Sequence, residues 1–121
     1  MTDTQFKGIF EAYLDAFAAT SLAEQERLLR SSVAEDVVFT NPGVEGQGLQ
    51  NLLKHISVFQ EHFPGHRFRV NWFRQQHGQM LAEWAQVGED GGELVTAHSY
   101  GRVNEFSVIA HLAGFWSPGA V

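Results

Sequence analysis

Residues 37–68 read VVFTNPGVEGQGLQNLLKHISVFQEHFPGHRF, and the punctuation of this stretch decides the fold. Asn41 stands before Pro42 and is biased toward an extended backbone, while Gly43, Gly46 and Gly48 interrupt whatever follows. A strand through Val37, Val38 and Phe39 therefore ends near Asn41. From Leu49 to Phe63 the residues Leu49, Leu52, Leu53, Ile56, Phe59 and Phe63 recur at helical spacing, and Pro64-Gly65 prevents continuation. The stretch is thus a strand, a broken loop, one amphipathic helix and the start of a new strand near His66.

Working toward the N-terminus, Phe6, Ile9, Phe10, Tyr13, Leu14 and Phe17 fall on one helical face with Asp3 as the expected cap. Ser21-Leu22-Ala23-Glu24 reads as a capping box opening a second helix, with Leu22, Leu28 and Leu29 as its apolar side. Toward the C-terminus four consecutive strands are expected, at about 66–76, 79–87, 94–103 and 106–116, separated by His77-Gly78, by the 88–92 loop and by Asn104-Glu105. In the first of these Phe68, Val70 and Trp72 share a face. In the third, Thr96, His98 and Tyr100 oppose Val95, Ala97 and Ser99. The last is apolar on both faces, so one side packs on the helices and the other on a partner, most economically a second copy of the chain. Helices first, then a strand, a helix and a meander make an α+β layout with a curved, mainly antiparallel sheet.

A length of 121 residues with 44% hydrophobic content fits one domain spanning 1–121. The net charge of −6 and eight scattered Lys and Arg argue against nucleic-acid binding, which needs clustered basic charge. The chain has no cysteine, hence no disulfide, thiol nucleophile or Cys-based metal site. Its start lacks a basic segment followed by an apolar run, and no apolar run approaches membrane-spanning length. The expected setting is the cytoplasm, with no membrane partner.

Read together, AEDVVFTNPG, VEGQGLQNLLKHI, FPGHRF and AGFW, in that order and spacing, resemble the SnoaL-like polyketide cyclase group of the nuclear-transport-factor-2-like superfamily. The resemblance covers nearly the whole chain. It implies a cone-shaped, cystatin-like α+β barrel whose N-terminal helices pack on the concave face of the sheet. It also implies an apolar pocket and a homodimer formed through the outer sheet face. Its members include cyclases, isomerases, dehydratases and epoxide hydrolases, so fold constrains reaction poorly. The cyclases resembled carry an acidic residue in a G-x-D element early in the penultimate strand. The corresponding stretch here is Thr96-Ala97-His98-Ser99-Tyr100-Gly101-Arg102, without a carboxylate.

Histidine is then the expected acid/base. His98 is the leading candidate, since an imidazole titrating near neutrality on a strand facing a cavity suits proton transfer; the other reading puts it on the outer face. His111, on the neighbouring strand, either pairs with His98 or sits in an interface. His55 flanks the apolar stripe of the Leu49–Phe63 helix, at the pocket mouth or in solvent. Asn41 either orients a ligand at the rim or caps the loop. Tyr13, Phe17, Phe39, Phe59, Trp72, Trp84, Tyr100 and Phe115 are core residues by default and pocket walls if the resemblance holds. His62-x-x-x-His66 is broken by proline and no His-x-His occurs, so no metal is expected, nor any cofactor. The expected function is binding of a small hydrophobic molecule, either with cofactor-independent isomerase, dehydratase or cyclase chemistry, or as a non-catalytic binding or dimerisation module.

Overall fold

The computed structural model describes residues 1–117. Helix α1 (Asp3–Ala16) is capped by Thr2, whose hydroxyl accepts from the Gln5 N–H at 3.1 Å while the Gln5 side-chain oxygen accepts from the Thr2 N–H at 2.9 Å. The cap thus lies one residue before the expected Asp3, whose carboxylate accepts from Gln75 instead. Helix α2 (Leu22–Ser32) starts at Ser21, which accepts from the Glu24 N–H at 3.1 Å. The return half of the capping box does not form, because the Glu24 carboxylate pairs with Arg27. Helix α3 (Leu49–His62) begins as its apolar spacing dictates and stops before Pro64-Gly65. Gln60 donates to the carbonyls of Phe17 at 2.9 Å and Ala19 at 2.7 Å, and Gln25 donates to Ala19 and Gln60, so the α1–α2 turn is fastened to α3.

Six strands follow in the order β2-β1-β6-β5-β4-β3, comprising β1 (Val33–Asn41), β2 (Val44–Gln47), β3 (Arg67–Gln76), β4 (Gln79–Val87), β5 (Glu93–Val103) and β6 (Ile109–Phe115). Every pair is antiparallel except β1 with β6. The sheet is curved but not closed, since β2 and β3 are its edges, so the expected barrel is an open cone. Strand β2 lies within the segment expected to be a loop: its glycines do not prevent a short edge strand folding back on β1 with Phe39 opposite Gly46. A side chain at Gly46 would press on the Phe39 ring, because a Cβ there would lie 2.5 Å from Phe39 Cζ. His77 and Gly78 both take positive φ, 48° and 73°, and form the tight β3–β4 turn that their dipeptide promised. The last strand begins at Ile109 rather than 106, because the Asn104 side chain accepts from the Phe106 N–H at 2.8 Å and holds 104–108 as a turn.

Two register shifts decide which side chains face inward. Between Val70 and Trp72 the β3–β4 register slips, with Val70 opposite Trp84 but Trp72 opposite Glu83. Past this bulge the parity reverses, so Phe73 enters the core, 5.5 Å from the Phe6 ring, and Trp72 turns outward. A second shift, between Arg102 and Val103, skips Ala110, so Ile109 and Leu112 are both buried. The core lies between the concave sheet face and the apolar stripes of α1 and α3, where Phe6, Phe10, Leu52 and Ile56 are fully enclosed.

Candidate functional site

Beside the core, the cone leaves a cavity of about 360 Å³. Tyr13, Leu14 and Phe17 come to it from α1; His55, Val58, Phe59, His62 and Phe63 line it from the α3 side. Phe39, Thr40 and Asn41 of β1, the Pro42-Gly43 turn and Val44 form one flank. Phe68, Trp84, Gln86, Val95, Ser99, Leu112, Gly114 and Trp116 form the sheet floor and the far rim. The aromatic rings interlock: Phe17 lies edge-on to Phe59 and Phe68 at 5.4 and 5.3 Å, Phe68 edge-on to Trp84 at 4.7 Å, and Trp84 edge-on to Trp116 at 5.8 Å. Such T-shaped contacts hold the walls in place without filling the space between them.

No Asp, Glu, Lys or Arg lines this cavity among the described residues; its polarity comes from neutral groups. The Trp84 Nε1–H donates to Ser99 Oγ at 2.9 Å in the buried floor. Tyr13 has no hydrogen-bond partner for its hydroxyl among the described residues, and burial raises its pKa far above the ordinary phenol value, so it stays a donor. Asn41 Oδ1 accepts from the Gly43 N–H at 2.9 Å, which turns its amide nitrogen toward His55 Nε2 at 3.5 Å. His55 therefore presents a lone pair at Nε2 and carries its proton on Nδ1. Its ring is edge-on to Phe17 and tilted on Phe39, each 6.0 Å away, and desolvation lowers its pKa below the ordinary histidine value. His55 is thus a neutral imidazole on the cavity wall whose Nε2 lone pair accepts a long hydrogen bond from Asn41.

Of the residues singled out in the sequence, Tyr13, Phe17, Phe39, Asn41, His55, Phe59 and Trp84 meet at this cavity. His98, Trp72, Tyr100, His111 and Phe115 do not line it. They belong to the convex face of the sheet, and His98 as the cavity's acid/base is withdrawn on that ground. The reason is parity: Val95, Ala97 and Ser99 of β5 are buried, with Ala97 opposite Trp84, so Thr96, His98 and Tyr100 project outward. On that outer face His98 Nε2 lies 3.2 Å from Glu83, whose other oxygen accepts from Asn71 at 3.0 Å, and the Trp72 ring is 5.9 Å from the imidazole. Tyr100 donates to Gln79 at 2.7 Å, and His111 lies 6.4 Å from the Tyr100 ring rather than beside His98. Phe115 is 57% exposed.

Sequence reasoning missed Gln86, Ser99, Phe68 and Trp116 as wall residues. The signal was available for the first three: once the more apolar parity of β5 is assigned inward, Ser99 follows, and strand pairing brings Gln86 opposite Phe68 on the same side. Among the described residues no group of three or more His, Asp and Glu converges as metal ligands, and no helix is long and apolar enough to cross a membrane.

No family model matches the chain, and no curated protein does. Solved structures do match. A candidate isomerase of the SnoaL-like family from Agrobacterium tumefaciens superposes with a TM-score of 0.86 at 23% identity, covering 94% of this chain and 98% of that one. A candidate polyketide cyclase from Sinorhizobium meliloti gives 0.72 at 17%, covering 94% and 99%. An NTF2-like protein of unknown function from Cytophaga hutchinsonii gives 0.69 at 12%, covering 93% and 90%. The protein therefore has the α+β fold of SnoaL-like and other nuclear-transport-factor-2-like proteins.

Proposed function

We propose that the cavity binds a small, uncharged, largely apolar molecule, and that His55 and Tyr13 carry out cofactor-independent proton transfer on it. The observation that carries this reading is an aromatic cavity, free of charged side chains, that nonetheless holds an unpartnered phenol and a neutral imidazole. Its volume lies near the small end of the range for ligand pockets, about 300–1,000 Å³. On a bound ketone, His55 Nε2 would give up its 3.5 Å hydrogen bond from Asn41 and take the proton from the carbon next to the carbonyl. The C–H electron pair becomes the C=C bond, the carbonyl π pair moves to oxygen, and the Tyr13 O–H hydrogen-bonds the developing negative charge. Return of that proton from His55 to another carbon gives isomerisation, and its transfer to a departing β-hydroxyl, which leaves as water, gives dehydration. A candidate isomerase and a candidate polyketide cyclase share the fold, which is compatible with this reading.

A test is the exchange of the α-protons of 2-tetralone, a neutral bicyclic ketone, into D2O followed by NMR. Wild type should accelerate exchange over buffer, and His55→Gln should lose the acceleration while keeping ketone affinity within a few-fold. Binding without accelerated exchange would leave the second reading, a non-catalytic binder. That reading is favoured by the wedging of His55 between Phe17 and Phe39 as a wall element. We further propose that a second copy pairs through the convex face, where Leu81 and Phe115 are 46% and 57% exposed beside Trp72 and Tyr100; a monomer at micromolar concentration in sedimentation would oppose this. Residence in the cytoplasm also remains a proposal, tested by cell fractionation.

A further inference from the structure

Gln86 is a buried amide in an aromatic wall. It lies on β4 directly opposite Phe68, is only 3% exposed, and borders the cavity, a position where a leucine would pack without any need for a partner. Its Nε2 stands 2.9 Å from His66 Nδ1, so the amide nitrogen donates to the ring and the ring keeps its proton on Nε2. His66 is in turn held 5.3 Å from the Phe63 ring at the turn after α3. That leaves Gln86 Oε1 without a partner among the described residues. No fully buried side-chain oxygen or nitrogen is left unsatisfied there, so this oxygen borders open space. Gln86 is a lining residue of the cavity, which is the open space within reach of its side chain.

From this geometry, and resting on the proposed function above, we infer that the ligand carries a neutral hydroxyl whose O–H donates to Gln86 Oε1, with His66 as the positioning residue that fixes which end of the amide the ligand meets. A ligand that fills the cavity without offering a donor would leave this amide oxygen buried and unpaired, so the site discriminates against molecules lacking one. Tyr13 supplies the complementary polarity on the opposite, helical wall: its phenol offers a donor where Gln86 offers an acceptor. With no Asp, Glu, Lys or Arg in the lining to balance an ion, carboxylates, phosphates and amines are disfavoured. The ligand class is thus an uncharged phenol or alcohol on a ring system that also bears an acceptor such as a carbonyl.

The test uses 2-naphthol and 2-methoxynaphthalene, which share a ring system but differ in the donor, titrated into the intact protein by calorimetry. Wild type should bind 2-naphthol about tenfold more tightly. Gln86→Leu, which keeps the side-chain volume, should bring the ratio close to one by weakening 2-naphthol alone. His66→Phe, which leaves Gln86 in place but frees its amide to turn, should reduce the ratio in the same direction. A ratio that survives both substitutions, or a wild type that holds the two probes equally, overturns the inference while leaving the cavity as a binding site. If wild type binds neither probe, this inference and the proposed function fall together.

Discussion

Replacing Gly46 by alanine probes whether the β1–β2 hairpin sets the size of the cavity. The added Cβ would lie 2.5 Å from Phe39 Cζ, 2.9 Å from Cε2 and 3.1 Å from Cε1, whereas carbon atoms settle about 3.5–4.0 Å apart. Phe39 pairs with Gly46 across the hairpin and lines the cavity, so its ring has one direction of retreat, inward against His55. A shift of about 1 Å by a phenyl face removes roughly 40 Å³ from a cavity of about 360 Å³. That is one to two methylene volumes, about 0.8–1.6 kcal/mol of lost ligand burial, or roughly a 4- to 15-fold weaker affinity for a ligand that fills the space. Overpacking should also cost about 1–3 kcal/mol of stability, a fall in Tm of roughly 4–12 °C for a domain of this size. Thermal melts and calorimetry with 2-tetralone measure both. Adding Phe39→Leu should restore affinity and most of the Tm, a coupling that independent sites would not show. Gly46→Ala with unchanged Tm and unchanged affinity would refute the reasoning.

Three further outcomes follow from the same geometry. Tyr13→Phe should leave the unfolding free energy within about 0.5 kcal/mol of wild type, since its hydroxyl has no partner among the described residues, yet it should abolish the preference for 2-tetralone over its hydrocarbon parent, tetralin. Trp84→Phe deprives the buried Ser99 oxygen of its donor and should destabilise by about 1–3 kcal/mol, partly recovered when Ser99→Ala is added; chemical denaturation reads both. Because burial lowers the His55 pKa in the folded protein, the unfolded chain binds a proton first as pH falls. His55 therefore costs nothing well above its ordinary pKa of about 6.5 and destabilises progressively as pH drops below that value, flattening once the folded-state pKa is passed. The difference in unfolding free energy between wild type and His55→Gln should accordingly shrink or reverse between pH 7 and pH 5.

The sequence disclosed the helices and the meander because their signals are local: the apolar spacing of α3, the Pro64-Gly65 stop and the His77-Gly78 turn each act within a few residues. It did not disclose which way the strands face. At β3 the period-2 pattern runs unbroken through Phe68, Val70 and Trp72, and the bulge that turns Trp72 out depends on how many residues β4 supplies opposite it. The placement of His98 was recoverable, because Val95 and Ala97 make the more apolar parity and the small Ala97 leaves room for Trp84. For His55 the sequence left the pocket mouth and a solvated flank both open, since its meeting with Asn41, Phe17 and Phe39 joins three separate elements. The uncharged lining is likewise a property of the assembled walls that no single segment reveals.

The most direct test of the account uses the protein's own indoles. Trp84 and Trp116 line the cavity, whereas Trp72 lies on the convex face. In a ¹⁵N-labelled sample titrated with 2-tetralone, the Trp84 and Trp116 indole N–H resonances should move together and saturate at a single stoichiometric site while Trp72 stays in place. Saturating shifts confined to Trp72, or no saturating shift in any indole, would contradict the claim that the concave cavity is the functional site.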